Sequence, residues 1–472
     1  MLTHIANGDS RLSFWLRVRE FAVPPSMIET ATARRHAGDW AGACAAAGID
    51  VDLRLRSVAR VHGRELAARL RADLRHLAPD LLRWHMPRIA PDGLLRPGLT
   101  LALARYHSPR GDGDEPVYLV ARTPPAWADA GQRISLALWD GSGSGTVTAC
   151  RHPHPHPNRR FRLDLHRHLW DARRTEELRI RSGADRPDMN IDVDRDIDLD
   201  PELLRRVPRG RRCAVERWAA EAGIVLRAEG RSTGTVAVRL GGRHRLVLEL
   251  VAGRDGVGPP TLRSTAAPAD GGVSSLPVLP DAAAWVLPDL ELLRAGLIEA
   301  DRLHPLVASA LVPHHAPAGA PRPPDRAGRP RLVECRGARH RIGLVDGVLA
   351  PLDHGPAEIR REELLVALGG TPLPCLRAID EAHRRPDCLT GVRERLDHGD
   401  TAGALAVVEG LLGPDAVLRN GALRDELEAA ALQRITYGLF RAGLIGPGPG
   451  RLHPDRRRDR DRRSPPRHAL AR

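Results

Sequence analysis

Residues 99–106 read Leu99-Thr-Leu-Ala-Leu-Ala-Arg-Tyr106, and the stretches 117–122 and 133–139 continue this alternation. A period of two residues is typical of a β-strand whose two faces differ in burial. The segments between the three stretches are rich in Gly, Pro and Asp, which are turn-forming residues. The sequence therefore predicts an antiparallel β meander, to which we assign residues 93–150.

The chain upstream of the meander is predicted to be helical. Leucines recur there at spacings of three and four residues, as on the buried face of a helix. The members of this stripe are Leu66, Leu70, Leu74, Leu77 and Leu81. Asp39 is placed to cap another helix. Its surroundings, Gly38-Asp-Trp-Ala-Gly-Ala43, are echoed by Gly399-Asp-Thr-Ala-Gly-Ala404, which predicts a second helix start of the same kind.

The chain downstream of the meander alternates strand and helix signals. Apolar runs flank Gly241-Gly242 and Asp346-Gly347, and both patterns predict β-hairpins. We also expect a helix that Asp289 opens and Pro305 ends, with a loop over 253–280. The expected fold class is α+β and multidomain, with a helical N-terminal region, a central region containing antiparallel strands and a mainly helical C-terminal domain. The predicted regions are 1–92 (helical), 93–150 (meander), 159–312 (mixed α+β), 313–330 (Pro/Arg linker), 331–445 (hairpin plus helices) and 446–472 (disordered Arg-rich tail).

The composition excludes several kinds of chemistry. All 72 of the Lys+Arg residues are arginine, so the chain cannot form a Schiff base on lysine or use the lysine of a P-loop or protein kinase. The net charge is +13, and residues 455–472 alone hold eight arginines and three aspartates. The arginine bias, with abundant Ala, Gly and Pro, is also typical of a GC-rich bacterial genome.

Cysteine usage and hydropathy predict a cytoplasmic protein. The six cysteines show no C-x-x-C spacing, which favours reduced and mostly buried thiols. The first residues lack the apolar segment of a signal peptide, and no run of 18 apolar residues occurs. We therefore expect no membrane partner.

Histidines between residues 152 and 171 suggest a metal site. The pair His166 and His168, with Asp164 nearby, offers imidazole and carboxylate ligands, and alternate residues of a strand would share one face. The zinc spacings H-x3-H and H-E-x-x-H are absent, so solvated or adventitious histidines are the competing interpretation. This set is the candidate site of a metal-dependent hydrolase.

Arginine-rich segments suggest nucleic-acid binding. Arg159-Arg-Phe-Arg162 combines basic side chains with an aromatic ring. The candidate contacts with phosphate are Arg159, Arg160, Arg162, Arg173 and Arg174. The aspartates of the tail reduce the attraction of its arginines for phosphates.

The remaining motifs favour a protein without catalytic activity. Neither a Walker A sequence nor a G-x-G-x-x-G fingerprint occurs, and the alternating aspartates of 192–200 lack the Gly and Glu of a calcium loop. Cys335 and His340 are left as a candidate nucleophile pair. We identify no resemblance to a characterised family and expect no cofactor. The leading hypothesis is an interaction or regulatory (adaptor) protein with a protein partner, and the alternatives are a nucleic-acid-associated protein and the metal-dependent hydrolase.

Overall fold

The structure is a computed structural model of the chain. It describes residues 3–107, 116–128, 132–141, 152, 154–185, 211–241, 244–251, 260–265, 275–314, 331–335, 337–345, 348–384, 389–412, 418 and 420–445. The predicted linker 313–330, the aspartates of 192–200 and the tail 446–472 lie wholly or almost wholly outside these residues. Within them, no helix is both long enough and apolar enough to cross a membrane.

Helices and strands are both abundant in the described residues, and the predicted α+β class is confirmed. The helices are α1 Thr3–Phe21, α2 Pro25–His36, α3 Trp40–Ala46, α4 Leu55–Val61, α5 Arg64–His76, α6 Pro79–His85, α7 Glu177–Ser182, α8 Trp218–Ala228, α9 Asp281–Ala284, α10 Pro288–Arg294, α11 Pro305–Leu311, α12 Pro356–Ala367, α13 Pro374–Arg384, α14 Leu389–Asp397, α15 Thr401–Leu412 and α16 Ala422–Arg441. The strands are β1 Ile49–Val51, β2 Arg88–Ile89, β3 Leu94–Leu95, β4 Thr100–Tyr106, β5 Val117–Arg122, β6 Ile134–Trp139, β7 Gly234–Gly241, β8 His244–Val251, β9 Thr261–Ser264, β10 Arg331–Cys335, β11 Ala338–Val345 and β12 Val348–Pro351.

The predicted meander forms the centre of the largest sheet. Strands β4, β5 and β6 pair antiparallel in chain order, as the alternation indicated. The sheet order is β1-β6-β5-β4, because β1 adds in parallel beside β6, with Ile49 opposite Ile134. Strand β1 lies inside the region predicted to be helical, and three residues are too few for a period-two pattern to be visible. The sheet and the helices that precede it share one hydrophobic core.

Two smaller antiparallel sheets come from the predicted hairpins. Strands β7 and β8 pair as expected, but β9 lies within the stretch predicted to be a loop and pairs with β8. The sheet β10-β11-β12 packs against α13. The prediction that Pro305 ends a helix is wrong: α10 ends at Arg294, and Pro305 is the first residue of α11. Proline suits that position because the first N–H groups of a helix have no acceptor within it.

The repeated Gly-Asp motif forms the same helix start twice. Asp39 accepts a hydrogen bond from Gly42 N at 2.8 Å, and Asp400 accepts one from Gly403 N at 2.9 Å. The glycine before each aspartate has a positive φ, 76° at Gly38 and 86° at Gly399, which closes the preceding helix. Both caps were predicted from the sequence.

The C-terminal helices pack back onto the N-terminal region. Tyr437 of α16 donates a hydrogen bond to Asp50 of β1 at 2.5 Å, and Arg441 forms an ion pair with Asp52. Arg83 of α6 donates a hydrogen bond to the carbonyl of His398 at 2.8 Å. Regions more than 300 residues apart in sequence are therefore in contact.

Candidate functional site

A cavity of about 730 Å³ lies among α1, the end of α6, the segment 160–169 and the helices α9 and α10. This volume falls in the usual range of small-molecule sites. Its lining combines aromatic rings with basic side chains. The arginines of the lining are Arg11, Arg17, Arg19, Arg88, Arg96, Arg160, Arg162, Arg181 and Arg211, whereas Asp281 is the one carboxylate among the described residues that line it.

Local structure explains how two elements present arginine to the cavity. In α1, Arg11, Trp15 and Arg19 follow one another at four-residue intervals and so share one face of the helix. The segment after residue 158 runs along the edge of β4, where Asp164 N donates to the carbonyl of Ala102 at 2.8 Å. Turns at 159–160 and 163–164 flank Arg162, which forms an isolated β-bridge with Ala102, and both Arg160 and Arg162 line the cavity.

Six of the nine arginines are neutralised by carboxylates. The most buried pair joins Arg19 to Asp289, which accepts two hydrogen bonds at 2.7 and 2.8 Å. Both side chains are almost fully enclosed, at 2% and 0% exposure. The other pairs are Arg11–Glu291 (2.9 Å), Arg160–Asp281 (2.6 Å), Arg162–Asp164 (2.9 Å), Arg181–Glu221 (2.5 Å) and Arg17–Glu394.

Three arginines of the lining, Arg88, Arg96 and Arg211, form no ion pair with any described carboxylate. Arg88 donates to two carbonyl groups, those of Arg83 at 2.9 Å and Gly93 at 3.1 Å. Arg211 lies over the ring of Trp285, 4.0 Å from its centroid. Arg96 lines the cavity while part of the residue remains open to solvent. The cavity therefore contains more positive charge than the described chain neutralises.

Burial lowers the pKa of all three of these arginines, because it removes water from the charged guanidinium. Burial, with Arg83 and Arg19 nearby, holds the pKa of Arg88 well below its usual value. Burial also lowers the pKa of Arg211 to about 10, a value at which the guanidinium is still charged at neutral pH. The pKa of Arg96 is lowered by burial and by Arg160. An anion bound among these groups would reverse the effect, because an opposite charge favours the protonated form.

Four buried nitrogen atoms of the lining have no hydrogen-bond partner in the described chain. They are His85 Nε2, Arg88 Nε, His168 Nδ1 and Trp285 Nε1. Burial and nearby positive charges lower the pKa of both His85 and His168 well below the usual value. Buried polar atoms are nearly always paired, so such a cluster indicates a place for a polar ligand.

The predicted nucleic-acid residues separate into two groups. Arg160 and Arg162 line the cavity, whereas Arg159 is exposed outside its lining. Arg174 pairs with Glu177 at 2.5 Å, and Arg173 pairs with Asp171 at 3.2 Å. Arg173 and Arg174 are therefore engaged in local ion pairs, and neither lines the cavity.

The predicted metal residues are also in different environments. Asp164 is paired with Arg162. His166 has both ring nitrogens near oxygen atoms, with Nδ1 3.0 Å from the carbonyl of Arg162 and Nε2 3.2 Å from Glu221. His168 is buried and packs against the ring of His166, with a centroid distance of 5.7 Å. The segment 167–169 is a short 3-10 helix, so His166 and His168 do not lie on one face of a strand. Metal binding by His166, His168 and Asp164 remains a prediction.

Sequence reasoning did not identify the three unpaired arginines. Arg88, Arg96 and Arg211 stand in separate stretches, and in a chain without lysine an arginine by itself carries no signal. The feature that distinguishes them, the lack of a carboxylate partner, exists only in three dimensions. Comparison with protein-family models, curated proteins and solved structures gives no match to this chain.

Proposed function

We propose that this chain is a non-catalytic regulatory protein whose cavity binds a small phosphorylated ligand of about nucleotide size. The observation that carries the proposal is the uncompensated charge of Arg88, Arg96 and Arg211. Guanidinium groups bind phosphate oxygens in a planar, bidentate geometry and are weakly hydrated, which favours such contacts away from water.

The remaining lining supports a ligand that has an apolar part. The rings of Phe14, Trp15 and Trp285 border the same cavity as the arginines. Binding sites for small molecules usually combine apolar and aromatic walls with a few polar groups that orient the ligand. A phosphate beside Arg88 and Arg211 with a planar ring against these side chains satisfies both features.

Replacing Arg88 or Arg211 with glutamine is expected to weaken binding of inorganic pyrophosphate and adenosine triphosphate by roughly 10–100-fold. This range corresponds to the loss of one hydrogen bond to a charged group, about 1.5–3 kcal/mol. Isothermal titration calorimetry on the full chain measures the affinity. The matched control is Arg69→Gln, because Arg69 is an exposed arginine that pairs with Glu65 on α5 and is not part of the lining.

Two results would contradict the phosphate proposal. One is the absence of binding by both probes at low ionic strength, where attraction between charges is strongest. The other is an equal loss of affinity in Arg69→Gln, which would mean that the anions respond to the overall charge of the protein and not to this cavity.

Nucleic acid is the second candidate, since Arg160, Phe161 and Arg162 all line the cavity. Phe161 is only 9% exposed, and the guanidinium of Arg160 lies 5.2 Å from its ring centroid. A base would find little free ring surface there, which favours the smaller ligand. A single-stranded oligonucleotide that binds more tightly than adenosine triphosphate, and that Arg160→Gln releases, would support the nucleic-acid function instead.

The proposal also includes a protein partner and a cytoplasmic location. Exposed apolar side chains concentrate in the C-terminal helices, with Leu364 at 61%, Leu368 at 87% and Ile435 at 58% exposure. Exposed apolar surface is typical of protein interfaces.

Four described cysteines are free thiols, as expected in a reducing compartment. Affinity capture from native cell extract after nuclease treatment tests the partner, and failure to retain any stoichiometric protein would count against it.

A further inference from the structure

Three residues with soft or borderline ligand atoms meet in the C-terminal part of the chain. Cys335 ends β10, His354 lies in the turn between β12 and α12, and Cys375 lies in the first turn of α13. One ligand atom of each lies within 4.8 Å of the other two. All three residues are buried, with Cys335 and Cys375 at 0% exposure and His354 at 9%.

The orientation of His354 suits a metal ligand. Its Nδ1 lies 3.2 Å from a carboxylate oxygen of Glu358, and its Nε2 lies 3.6 Å from the sulfur of Cys375. Hydrogen bonding of Nδ1–H to Glu358 leaves the lone pair of Nε2 directed towards the cysteines. Histidines that bind zinc are usually held in this way, with a carboxylate on the other ring nitrogen. The ring of His340 stacks on His354, with centroids 4.3 Å apart.

A purely hydrophobic role for Cys335 and Cys375 does not account for the imidazole that lies beside them. Buried cysteine is common in protein cores, where it behaves as a small apolar residue. Here, however, the sulfur atoms share their site with a polar imidazole nitrogen. Among the described residues, the buried hydrophobic members of this core are Cys335, Ile342, Leu373, Cys375 and Ile379. A small three-stranded sheet gains stability from a cross-link such as a metal ion.

We propose that Cys335, His354 and Cys375 bind a zinc ion that joins the sheet β10-β11-β12 to α13. Two thiolates and one imidazole are typical zinc ligands and leave one tetrahedral position for a further donor. This site is separate from the arginine cavity and does not depend on the function proposed for it.

Metal analysis of the untagged full chain, after dialysis against metal-free buffer, is expected to find about one zinc ion per chain. Replacement by cobalt is expected to give the near-ultraviolet absorption of thiolate-to-cobalt charge transfer. Cys335→Ser and Cys375→Ser are expected to lose both signals, whereas Cys213→Ser, which alters a cysteine in another core, should keep them.

Glu358→Gln keeps all three ligands, so it tests the site even where a cysteine variant fails to fold. Loss of the carboxylate on His354 is expected to weaken zinc affinity roughly 10–100-fold, measured by competition with a chromophoric chelator. Unchanged affinity in Glu358→Gln would overturn the proposal. So would zinc that remains in Cys335→Ser but is lost when His154 and His156, two further histidines of the segment 152–171, are both replaced by Asn. The competing arrangement is a disulfide between Cys335 and Cys375. It would be shown by a metal-free chain whose intact mass, measured under non-reducing conditions, is two hydrogen atoms below the mass of the fully reduced chain.

Discussion

Replacing Asp289 with alanine is expected to lower the free energy of unfolding by about 3–5 kcal/mol. Asp289 is fully buried and accepts two hydrogen bonds from Arg19, and its carboxylate also faces the indole N–H of Trp84 at 3.2 Å. Without the carboxylate, Arg19 keeps its charge in an enclosed site where water cannot solvate it. The cost is therefore mainly that of a buried, uncompensated cation.

Urea denaturation followed by tryptophan fluorescence and far-ultraviolet circular dichroism measures this effect. The double variant Arg19→Met/Asp289→Leu should recover most of the loss, because a buried ion pair adds little over apolar side chains of similar volume. Glu20→Ala is the matched control: Glu20 follows Arg19 in α1 but is exposed, so a change within about 0.5 kcal/mol is expected. A loss of only about 0.5 kcal/mol in Asp289→Ala would contradict the stabilising role assigned to the Arg19–Asp289 ion pair.

Replacing Glu221 with glutamine is expected to cost about 3 kcal/mol at neutral pH and to remove part of the acid sensitivity of the protein. Burial acts to raise the pKa of Glu221, but the hydrogen bonds from Arg181 and the nearby His166 ring outweigh it and lower the pKa to about 2. The carboxylate oxygens lie 2.5 and 2.7 Å from Arg181 and 3.2 Å from His166. Glu221 is thus more acidic in the folded chain than in the unfolded chain.

A lowered pKa means that the unfolded chain takes up a proton first as the pH falls. The stabilisation by Glu221 is complete above the unfolded pKa of about 4.5 and is lost between that value and about 2. In a series of urea titrations, the free energy of unfolding of the native chain should therefore approach that of Glu221→Gln as the pH falls through this range. Glu249→Gln, at an exposed position of β8, should change little at any pH. A gap of constant size down to about pH 2 would contradict the assigned ion pairs.

Local patterns in the sequence predicted local structure well. The alternation from Leu99 to Trp139 predicted β4, β5 and β6, because pleated backbone turns successive side chains to opposite faces. Asp39 and Asp400 were predicted as caps because a carboxylate at that position reaches the N–H groups of the first helical turn. Where the pattern was too short, the prediction failed, as for β1 and β9.

Local sequence patterns did not predict either of the two candidate sites, the arginine cavity and the cysteine–histidine cluster. Cys335 was considered as a partner of His340, but the structure places it with His354 and Cys375. These three residues stand in different elements separated by about 20 residues, so no spacing rule connects them. For the arginine cavity, the sequence suggested Arg160 and Arg162 as candidate contacts with nucleic-acid phosphates but gave no reason to select Arg88 or Arg211.

The sequence by itself determined the α+β class, the meander, the two hairpins and the paired Gly-Asp helix starts. Each depends on interactions between residues close in the chain, which propensity, periodicity and capping describe. Tertiary structure alone decided which arginines receive a carboxylate partner and which thiols meet a histidine. Such contacts join stretches up to several hundred residues apart, and they form because burial of apolar surface outweighs the entropy lost in closing long loops.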